Sequence, residues 1–460
     1  MSRKKGVSAL GAVRPRDICF NALMAYFSGF AYLLASGFSG GKLAVSSGES
    51  SVYMAWAALT YGLLLAALLV RWRQVLLLVT IRKSLIALFL LAGVLSYLSL
   101  HPEGGVVYEK FVMFALTLLF GAWLSITFSP EELFDRLFWF SIFVLLFHWA
   151  IWFHFGNVLD YDALNRKTLL GTSPYAGAFG HRILAGAFFG ISFIVAFLRG
   201  LAPQNRRRRL FHGAVAAGHL ITLLASGSAG QFLATVAVTC TIFMVRLMGK
   251  ASFKYILVVF IGSIVAFYLL PSLFSSLLGA IGRDTTLTGR NFFSNAWPSF
   301  FSERPWFGYG YGNFFGNSAH SPDIQLSLLS PWHNRFSSFE NSYLEMLIDF
   351  GVIGASCFFL ILINGGMNAY RYASKHDNGG YEFASIAVFV FIFMSGFGEA
   401  FLTLHSFLLA SFVVCFYCGL TTREPLRTAK WGTRFYVSAR YGNRMASKSW
   451  RERRPRSAIR

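Results

Sequence analysis

About a dozen long apolar runs divide this chain of 460 residues, and they constrain its fold more than any other feature. A helix of roughly 20 apolar residues crosses a bilayer core, where every backbone polar group has to be satisfied internally. Hydrophobic residues make up 55% of the chain and charged residues only 13%. The sequence therefore predicts an all-α polytopic membrane protein with about 12 transmembrane helices. The predicted spans are 18–38, 53–70, 84–100, 107–128, 137–155, 182–199, 211–226, 230–247, 254–272, 342–364, 382–397 and 400–419.

The positive charge of the chain follows a topological pattern. The formal net charge is +21, and residues 421–460 alone hold 12 basic and 2 acidic residues. In a twelve-span arrangement the other basic clusters fall on the same side as this tail, as the positive-inside rule expects. We therefore expect both termini to be cytoplasmic and expect no nucleic-acid partner. The clusters are Arg3 to Lys5 with Arg14 and Arg16; Arg71, Arg73, Arg82 and Lys83; Arg206 to Arg209; and Arg246, Lys250 and Lys254.

The spans divide the chain into four predicted segments. Residues 1–272 hold spans one to nine, residues 273–341 form an extracytoplasmic loop, residues 342–420 hold spans ten to twelve, and residues 421–460 form a basic cytoplasmic tail. A loop of about seventy residues is far longer than a connection needs, which suggests a site. A second long outward loop covers 156–181. The inward side shows no Walker motif and no soluble catalytic domain, so we expect any chemistry at the outward face.

Two smaller patterns concern metals and helix starts. Cys415 and Cys418 form a C-x-x-C inside an apolar run, without a second pair of ligands nearby. Such cysteines are usually packing residues, so no metal and no cofactor is predicted. In the inward loop 129–136, Pro130-Glu131-Glu132 predicts the first turn of an interfacial helix, because acids are favoured at a helix N-terminus.

Arginines mark both long outward loops. Arg290 follows Thr288-Gly289, and a helix capped by one of residues 284–286 would place it one to two turns inside. It can be a snorkelling interfacial residue, or it can bind an anion through its planar guanidinium. His181-Arg182 opens the sixth span, where basic residues are unfavourable for topology and for the helix dipole. This pair is either functional or an interfacial anchor.

Acidic and histidine side chains follow Arg290 in the same loop and in the first turns of the tenth span. Glu340-Asn341 opens the tenth span, where Glu340 can cap the helix or act as a base. Glu345 and Asp349 lie one turn apart on that helix and can pair with Arg182 or Arg290. His320 and His333 in the same loop are alternative bases.

The outward loop is also rich in glycine and aromatic residues. The run 308–312 reads Gly-Tyr-Gly-Tyr-Gly and predicts a tight turn that brings the backbone close to a ligand. Aromatic rings can stack on the C–H faces of sugars, or they can form an interfacial belt. The aromatic residues are Trp297, Trp306, Tyr309, Tyr311, Phe314, Phe315, Trp332 and Tyr343.

Several motifs, in this order, resemble those of the O-antigen ligase and polymerase family. They are Gly180-His181-Arg182, Leu224 to Ser228, Gly282 to Arg290, Arg304-Pro305 with Gly308-Tyr309-Gly310, Glu340 to Glu345, and Gly351 to Gly354. The resemblance covers residues 156–354 and is greatest to the branch that polymerises exopolysaccharide. Three positions depart from the family pattern. Glu340 stands where relatives have a proposed catalytic His, Ile183 stands where an Asn is expected, and Ala229 follows the serine segment.

The resemblance implies a function at the bacterial inner membrane. Such enzymes transfer a glycan from an undecaprenyl-diphosphate carrier to an acceptor glycan, or to a lipid A core in the ligases. The implied catalytic residues are Glu340, Arg290 and His333, with Glu340 or His333 as the base. A chain-length or polysaccharide-export protein is a further implied partner. Substrate binding is implied for Arg182, His181, Arg304, Asn341, Tyr343 and Trp306.

A lipid-linked glycan flippase or transporter is the alternative from another class. About twelve spans suit a transporter, which typically shows internal repeats, broken helices and charges buried in mid-span. The sequence shows no repeat, and its polar residues gather at one outward face. These two observations favour an enzyme.

Overall fold

The computed structural model describes most of the first 419 residues. The described residues are 15–26, 38–39, 42–43, 51–99, 108–155, 168, 174–179, 181–202, 204–247, 290–315, 326, 338–375, 381–403 and 408–419. The predicted ninth span at 254–272 and the basic tail at 421–460 lie outside them.

The described part of the chain is almost entirely helical. A two-residue antiparallel hairpin, β1 (Phe38–Ser39) with β2 (Lys42–Leu43), and a short 3₁₀ turn at Gly177–Phe179 are its other regular elements. The helices are α1 (Pro15–Ala25), α2 (Ser51–Val70), α3 (Trp72–Leu77, continued by a π-helix at Leu78–Arg82), α4 (Ser84–Leu98), α5 (Tyr108–Thr127), α6 (Pro130–Phe155), α7 (Arg182–Leu201), α8 (Arg206–Ser226), α9 (Ala229–Leu247), α10 (Arg290–Glu303), α11 (Ser342–Lys375), α12 (Tyr381–Gly398) and α13 (Leu408–Cys418).

The helical fold class is confirmed, whereas the number of spans stays a prediction. Every predicted run that lies within the described residues overlaps a helix. Four helices there, α5, α6, α7 and α11, are long and apolar enough to cross a membrane by themselves. A fifth span arises if α2 is joined to the α3 segment, from which it is bent by 80°. The segment 72–82, predicted as part of an inward loop, is therefore helical and runs across the direction of α2.

The acidic first turn predicted at Pro130-Glu131-Glu132 is confirmed at the start of α6. Helix α6 begins at Pro130 and carries Glu131 and Glu132 in its first turn. The backbone N–H of Ser129 donates to Glu132 Oε2 at 3.3 Å, and the backbone N–H of Glu132 donates to Ser129 Oγ at 3.3 Å. This reciprocal capping box satisfies two N–H groups that a helix start leaves unpaired. The turn opens a long membrane helix rather than a separate interfacial one.

One end of the helix bundle, called here the basic end, gathers half-exposed charges. Arg136 pairs with Asp17 at 2.9 Å, Arg16 with Glu132 at 3.5 Å, and Arg199 with Asp135. These contacts bring together the start of α1, the start of α6 and the end of α7. The start of α8 follows within a few residues, so several of the basic clusters share this end.

The opposite end, called here the motif end, gathers the segments that resemble the family motifs. Helices α7, α9 and α11 begin there, while α4, α8 and α12 end there. The helices approach closely where residues are small, as in many membrane proteins. A Cβ on Gly121 would lie 2.1 Å from the carbonyl oxygen of Ser411, and one on Gly190 would lie 2.7 Å from Phe391. Close packing therefore places the motifs on a rigid bundle.

Candidate functional site at the motif end

Helix α11 is broken within its first three turns, and a turn formed by residues 305–310 fills the break. Gly351 has φ 60° and ψ −171°, a conformation that interrupts the helix. Carbonyl groups on one side of the break accept from the turn: Tyr309 N donates to Ile348 O at 2.8 Å and Gly310 N to Asp349 O at 2.9 Å. On the other side, Val352 N donates to Pro305 O at 2.7 Å and Ile353 N to Trp306 O at 3.3 Å. The turn thus satisfies backbone groups that lipid could not.

Glycine is required on both sides of this junction. A Cβ on Gly351 would lie 2.4 Å from the carbonyl carbon and oxygen of Trp306, and one on Gly308 would lie 2.4 Å from Ile348 O. Gly308, Gly310 and Gly312 all have positive φ, as a tight turn needs. The predicted turn is confirmed, and its backbone lies against helix α11. The predicted approach of this backbone to a ligand stays a prediction.

A chain of hydroxyl groups runs beside the break and ends on a buried carboxylate. Tyr97 donates to the carbonyl of Tyr311, Tyr311 donates to the carbonyl of Thr403, and Thr403 donates to Glu345 Oε2. Asp349, one turn further along α11, accepts from Gly312 N at 3.4 Å. Both carboxylates are buried. Among the described residues a threonine hydroxyl holds Glu345. The predicted pairing with Arg290 stays a prediction, because the Arg290 side chain lies outside the described residues.

The sequence left open whether Glu340 caps helix α11, and the structure assigns the cap to Asn341. Asn341 is the cap, because its Oδ1 accepts from Tyr343 N at 3.0 Å and from Leu344 N at 3.2 Å. Glu340 lies just before the cap with φ 50°, and within the described ranges it is the one residue other than glycine with a positive φ. Such a conformation costs on the order of 1–3 kcal/mol and tends to occur at functional sites. Glu340 therefore does not cap the helix and stays partly exposed.

Tyr343 contributes to packing rather than to a sugar-binding surface. Its side chain is buried, and its hydroxyl donates to the carbonyl of Phe393 at 2.7 Å. Ser342 fixes the neighbouring turn, since its hydroxyl donates to Glu399 O at 2.6 Å and accepts from Leu402 N at 3.0 Å. The start of α11 is thereby attached to the end of α12.

His181 and Arg182 join two of the motifs at the start of α7. His181 is the N-cap, and its Nδ1 accepts from Ile183 N at 3.4 Å. Arg182 is only 8% exposed, and its Nη1 donates to the carbonyl oxygen of Gly227 at 3.2 Å. Gly227 is the left-handed cap that ends α8, within the Leu224-to-Ser228 motif. A buried, bonded guanidinium does not fit the alternative of an interfacial anchor for Arg182, whose charged group would reach the interface.

Helix α12 connects the Arg182 region with the Glu340 region. Ser395 Oγ donates to Gln231 Oε1 at 2.7 Å, which ties α12 to the start of α9 beside the Gly227 cap. Helix α12 ends three residues after this contact. The next residue, Glu399, accepts a hydrogen bond from the Ser342 hydroxyl through its backbone carbonyl. The motifs near Arg182 and Glu340, far apart in sequence, therefore flank the same end of α12.

The outward loop forms a small aromatic core of its own. Within the described residues helix α10 begins at Arg290. The predicted cap at residues 284–286 and the Arg290 side chain lie outside them, so the placement of Arg290 one to two turns inside the helix stays a prediction. Several aromatic residues predicted as sugar platforms are buried here instead. The cluster consists of Phe300, Tyr309, Phe314, Leu326, Phe339 and Ile348, with Trp297 and Phe315 packed against it. Because Phe339 precedes Glu340, this core supports the start of α11.

The other predicted loop residues differ in exposure. Trp306 is 64% exposed, so its ring is available at the surface. The Arg304 guanidinium lies 5.4 Å from the centre of the Tyr309 ring. Burial, together with the hydrogen bond to Glu303, raises the pKa of the Tyr309 hydroxyl above its ordinary value. His320, His333 and Trp332 lie outside the described residues.

Sequence reasoning missed two residues that shape this end, Tyr97 and Thr403. Each is an ordinary residue of an apolar run or its edge, and no local pattern marks it. Ser342 was part of the Glu340-to-Glu345 motif, but its contacts with the end of α12 were not predicted. Within the described ranges no group of three or more His, Cys, Asp or Glu side chains could hold a metal ion. Cys415 and Cys418 are buried, free cysteines there, as expected for packing residues.

The fold and the motif end together define a helical membrane protein with a site built from separate loops at one end of its bundle. Residues 213–359 match the family described as O-Antigen ligase. This match supports the O-antigen ligase/polymerase family that the motifs predicted. The match includes the Gly227 cap, helix α10, the glycine turn, Glu340 and the break at Gly351. A comparison with curated proteins found no match.

Proposed function

We propose that this protein polymerises a surface polysaccharide at the extracytoplasmic face of the bacterial inner membrane. It would transfer a glycan from an undecaprenyl-diphosphate carrier to the hydroxyl group of an acceptor glycan. The match of residues 213–359 to the O-Antigen ligase family supports glycosyl transfer of the ligase or polymerase type. The observation that carries the proposal is the pair of features flanking α12: a buried arginine at the start of α7 and a strained glutamate at the start of α11.

The leaving group in this reaction is a diphosphate. As the bond between the anomeric carbon and the diphosphate oxygen breaks, the electron pair leaves with the phosphate and negative charge grows there. Arg182, Arg290 and Arg304 would balance that charge, together with His181, the chain neighbour of Arg182. A preorganised guanidinium stabilises developing charge without reorganising. The bond to Gly227 would hold the Arg182 guanidinium in one orientation. In this proposal the arginines do what a metal ion does in other transferases.

The acceptor hydroxyl needs a base. Its oxygen attacks the anomeric carbon while its proton passes to a carboxylate or imidazole. Glu340 is the proposed base for three reasons. Asn341 caps α11 in its place, its backbone conformation is strained, and its side chain is partly exposed. His333 is the second choice from the sequence. A base on the face opposite the diphosphate would invert the anomeric centre.

Ligation to lipid A core is the second candidate reaction, since the matched family is described as O-Antigen ligase. The two reactions share the donor and differ in the acceptor. Loss of a polymerase leaves single repeat units on the lipid carrier, whereas loss of a ligase leaves polymer on it.

The break in α11 is a feature that transporters also use, which bears on the flippase alternative. Transporter helices are broken where they expose backbone groups to a substrate or ion. Here the residues on both sides of Gly351 are hydrogen-bonded to the 305–310 turn of the same chain. A break that is filled by the protein favours a rigid site over a transport pathway.

The decisive experiment is the lipid-linked glycan profile of a deletion strain, complemented with wild type or with Arg290→Ala. The proposal predicts single-repeat carrier-linked precursor and no long polymer in both the deletion and the Arg290→Ala strain. Polymer of unchanged length in the deletion would refute it. Carrier-linked polymer would indicate the ligase, and precursor confined to the inner leaflet would indicate the flippase.

A further inference from the structure

The start of α8 carries the most concentrated charge within the described residues. Arg206, Arg207, Arg208 and Arg209 occupy the whole first turn, and all four are exposed. Asn205 caps the helix, its Oδ1 accepting from Arg208 N at 2.9 Å. The turn contains no acidic residue. Four cations at the positive end of a helix dipole repel it and one another, which makes an anion a favourable neighbour.

The acids of the surrounding helices are already bound to other arginines. Asp135 pairs with Arg199, and Glu132 pairs with Arg16 at 3.5 Å. Asp17 pairs with Arg136 at 2.9 Å. Within the part of the chain that the structure describes, the four arginines of α8 form no ion pair with any of these acids. The four exposed arginines are therefore available to an anion from outside the described part of the chain.

An exposed apolar surface adjoins the arginines on the side away from the helix start. Leu210 and Phe211 are 64% and 44% exposed, and each lies one helical turn beyond an arginine, Arg206 and Arg207 respectively. The Phe211 ring lies 6.2 Å from that of Trp139 on α6. Arginine next to exposed apolar residues is the pattern of a membrane interface, with charge at the headgroups and rings at the acyl chains.

The apolar surface continues along α6 away from the arginines. Trp139, Phe143 and Leu146 are 54%, 56% and 66% exposed, spaced one turn apart. Trp139 and Phe143 also line a groove of about 610 Å³ between α1 and α6, whose polar side is formed by Glu132, Asp135 and Arg136. A bilayer lipid whose headgroup lies at the α8 arginines has a continuous path for its acyl chain along this face.

We propose that Arg206 to Arg209 form a binding surface for acidic phospholipid headgroups, with the Trp139–Phe143 face of α6 receiving an acyl chain. We favour a lipid over nucleic acid or a soluble anion, because the arginines border an exposed apolar face, which an acyl chain can cover and a purely polar anion cannot. It is distinct from the proposed glycosyl-transfer site, since it lies at the opposite end of α7 and α8.

The test uses the purified full chain in detergent and measures its thermal unfolding as lipid is added. Phosphatidylglycerol should raise the unfolding temperature at low salt, phosphatidylcholine should not, and high salt should remove the effect. In the variant with Arg206, Arg207, Arg208 and Arg209 all changed to Gln, the apparent affinity for phosphatidylglycerol should fall more than about tenfold.

A matched control removes the same charge elsewhere. It changes Arg451, Arg453, Arg454 and Arg456 of the tail to Gln and should keep the response to phosphatidylglycerol. If the quadruple α8 variant does not accumulate, the double variant Arg207→Gln/Arg208→Gln replaces it, with a smaller expected loss. An equal loss of phosphatidylglycerol affinity in the tail variant would overturn the proposal, because it would show that the lipid responds to the net charge of the chain and not to the α8 arginines. Equal stabilisation by inorganic phosphate would overturn it in favour of a soluble anion site.

Discussion

The two ends of the helix bundle hold their charged side chains in different ways. At the basic end, arginines and acids pair with one another and remain partly exposed to solvent, as with Arg136 and Asp17. At the motif end, charged groups are buried and held by backbone atoms and hydroxyls: Arg182 by the Gly227 carbonyl, and Glu345 by Thr403. Exposed ion pairs contribute about 0–1 kcal/mol, whereas a buried charge that loses its partner costs several times more. The basic end should therefore tolerate substitution, and the motif end should not.

The largest expected effect is on the reaction itself, at Glu340. Glu340→Gln keeps the size of the side chain and removes the base, so polymer formation should fall about 10²- to 10⁴-fold. Thermal unfolding of the purified variant should be unchanged, since the carboxylate does not cap α11. Incorporation of carrier-linked repeats into polymer is the measurement. Glu340→His, which restores the residue type of the family, should retain more activity than Glu340→Gln. Full activity in Glu340→Gln would show that another residue is the base.

The two arginines of α7 give the most direct contrast between the ends of the molecule. Arg182→Gln should reduce polymer formation about 10²- to 10³-fold, because it removes a preorganised cation from the proposed leaving-group site. Arg199→Gln, at the other end of the same helix, should leave polymer formation within about twofold of wild type, since Arg199 belongs to a partly exposed pair with Asp135. Both are measured by polymer length in a complemented deletion strain. Similar losses in the two variants would remove the distinction between the ends.

The junction at Gly351 should be the most sensitive point for stability. Gly351→Ala places a Cβ 2.4 Å from the Trp306 carbonyl in a left-handed conformation, so we expect a loss of about 3 kcal/mol or more in the free energy of unfolding. Gly62→Ala is the matched control, because a Cβ there meets nothing within 4 Å. Thermal unfolding of the two purified variants decides the point. If Gly351→Ala unfolds at the wild-type temperature, the turn does not fill the break as described.

The smallest expected effect lies at the basic end. Asp17→Asn removes the ion pair with Arg136, both side chains of which are about a fifth exposed, and should change the free energy of unfolding by no more than about 1 kcal/mol. Raising the salt concentration should reduce even that difference. A loss comparable to that of Gly351→Ala would show that the basic end is as tightly coupled as the motif end.

The helices were predictable from sequence because the signal for each is local. A run of apolar residues of the right length predicts a membrane helix without reference to its neighbours, and Pro130-Glu131-Glu132 predicts a helix start by its own chemistry. The family motifs were likewise visible as short patterns, and the match to residues 213–359 supports the family. The partners of Glu345, Tyr309 and Gly351 were not predictable, because each lies in a different segment of the chain.

The sequence by itself determined that this is a helical membrane protein and indicated the O-antigen ligase/polymerase family, since hydropathy and motif order are properties of contiguous residues. The tertiary structure decided what each motif does. The Gly308–Gly312 turn contacts a broken helix, Asn341 caps α11 while Glu340 is left strained, and Arg182 is buried against Gly227. The physical reason is that in an apolar medium every polar group needs a partner, and only the packing of distant segments determines which partner it finds.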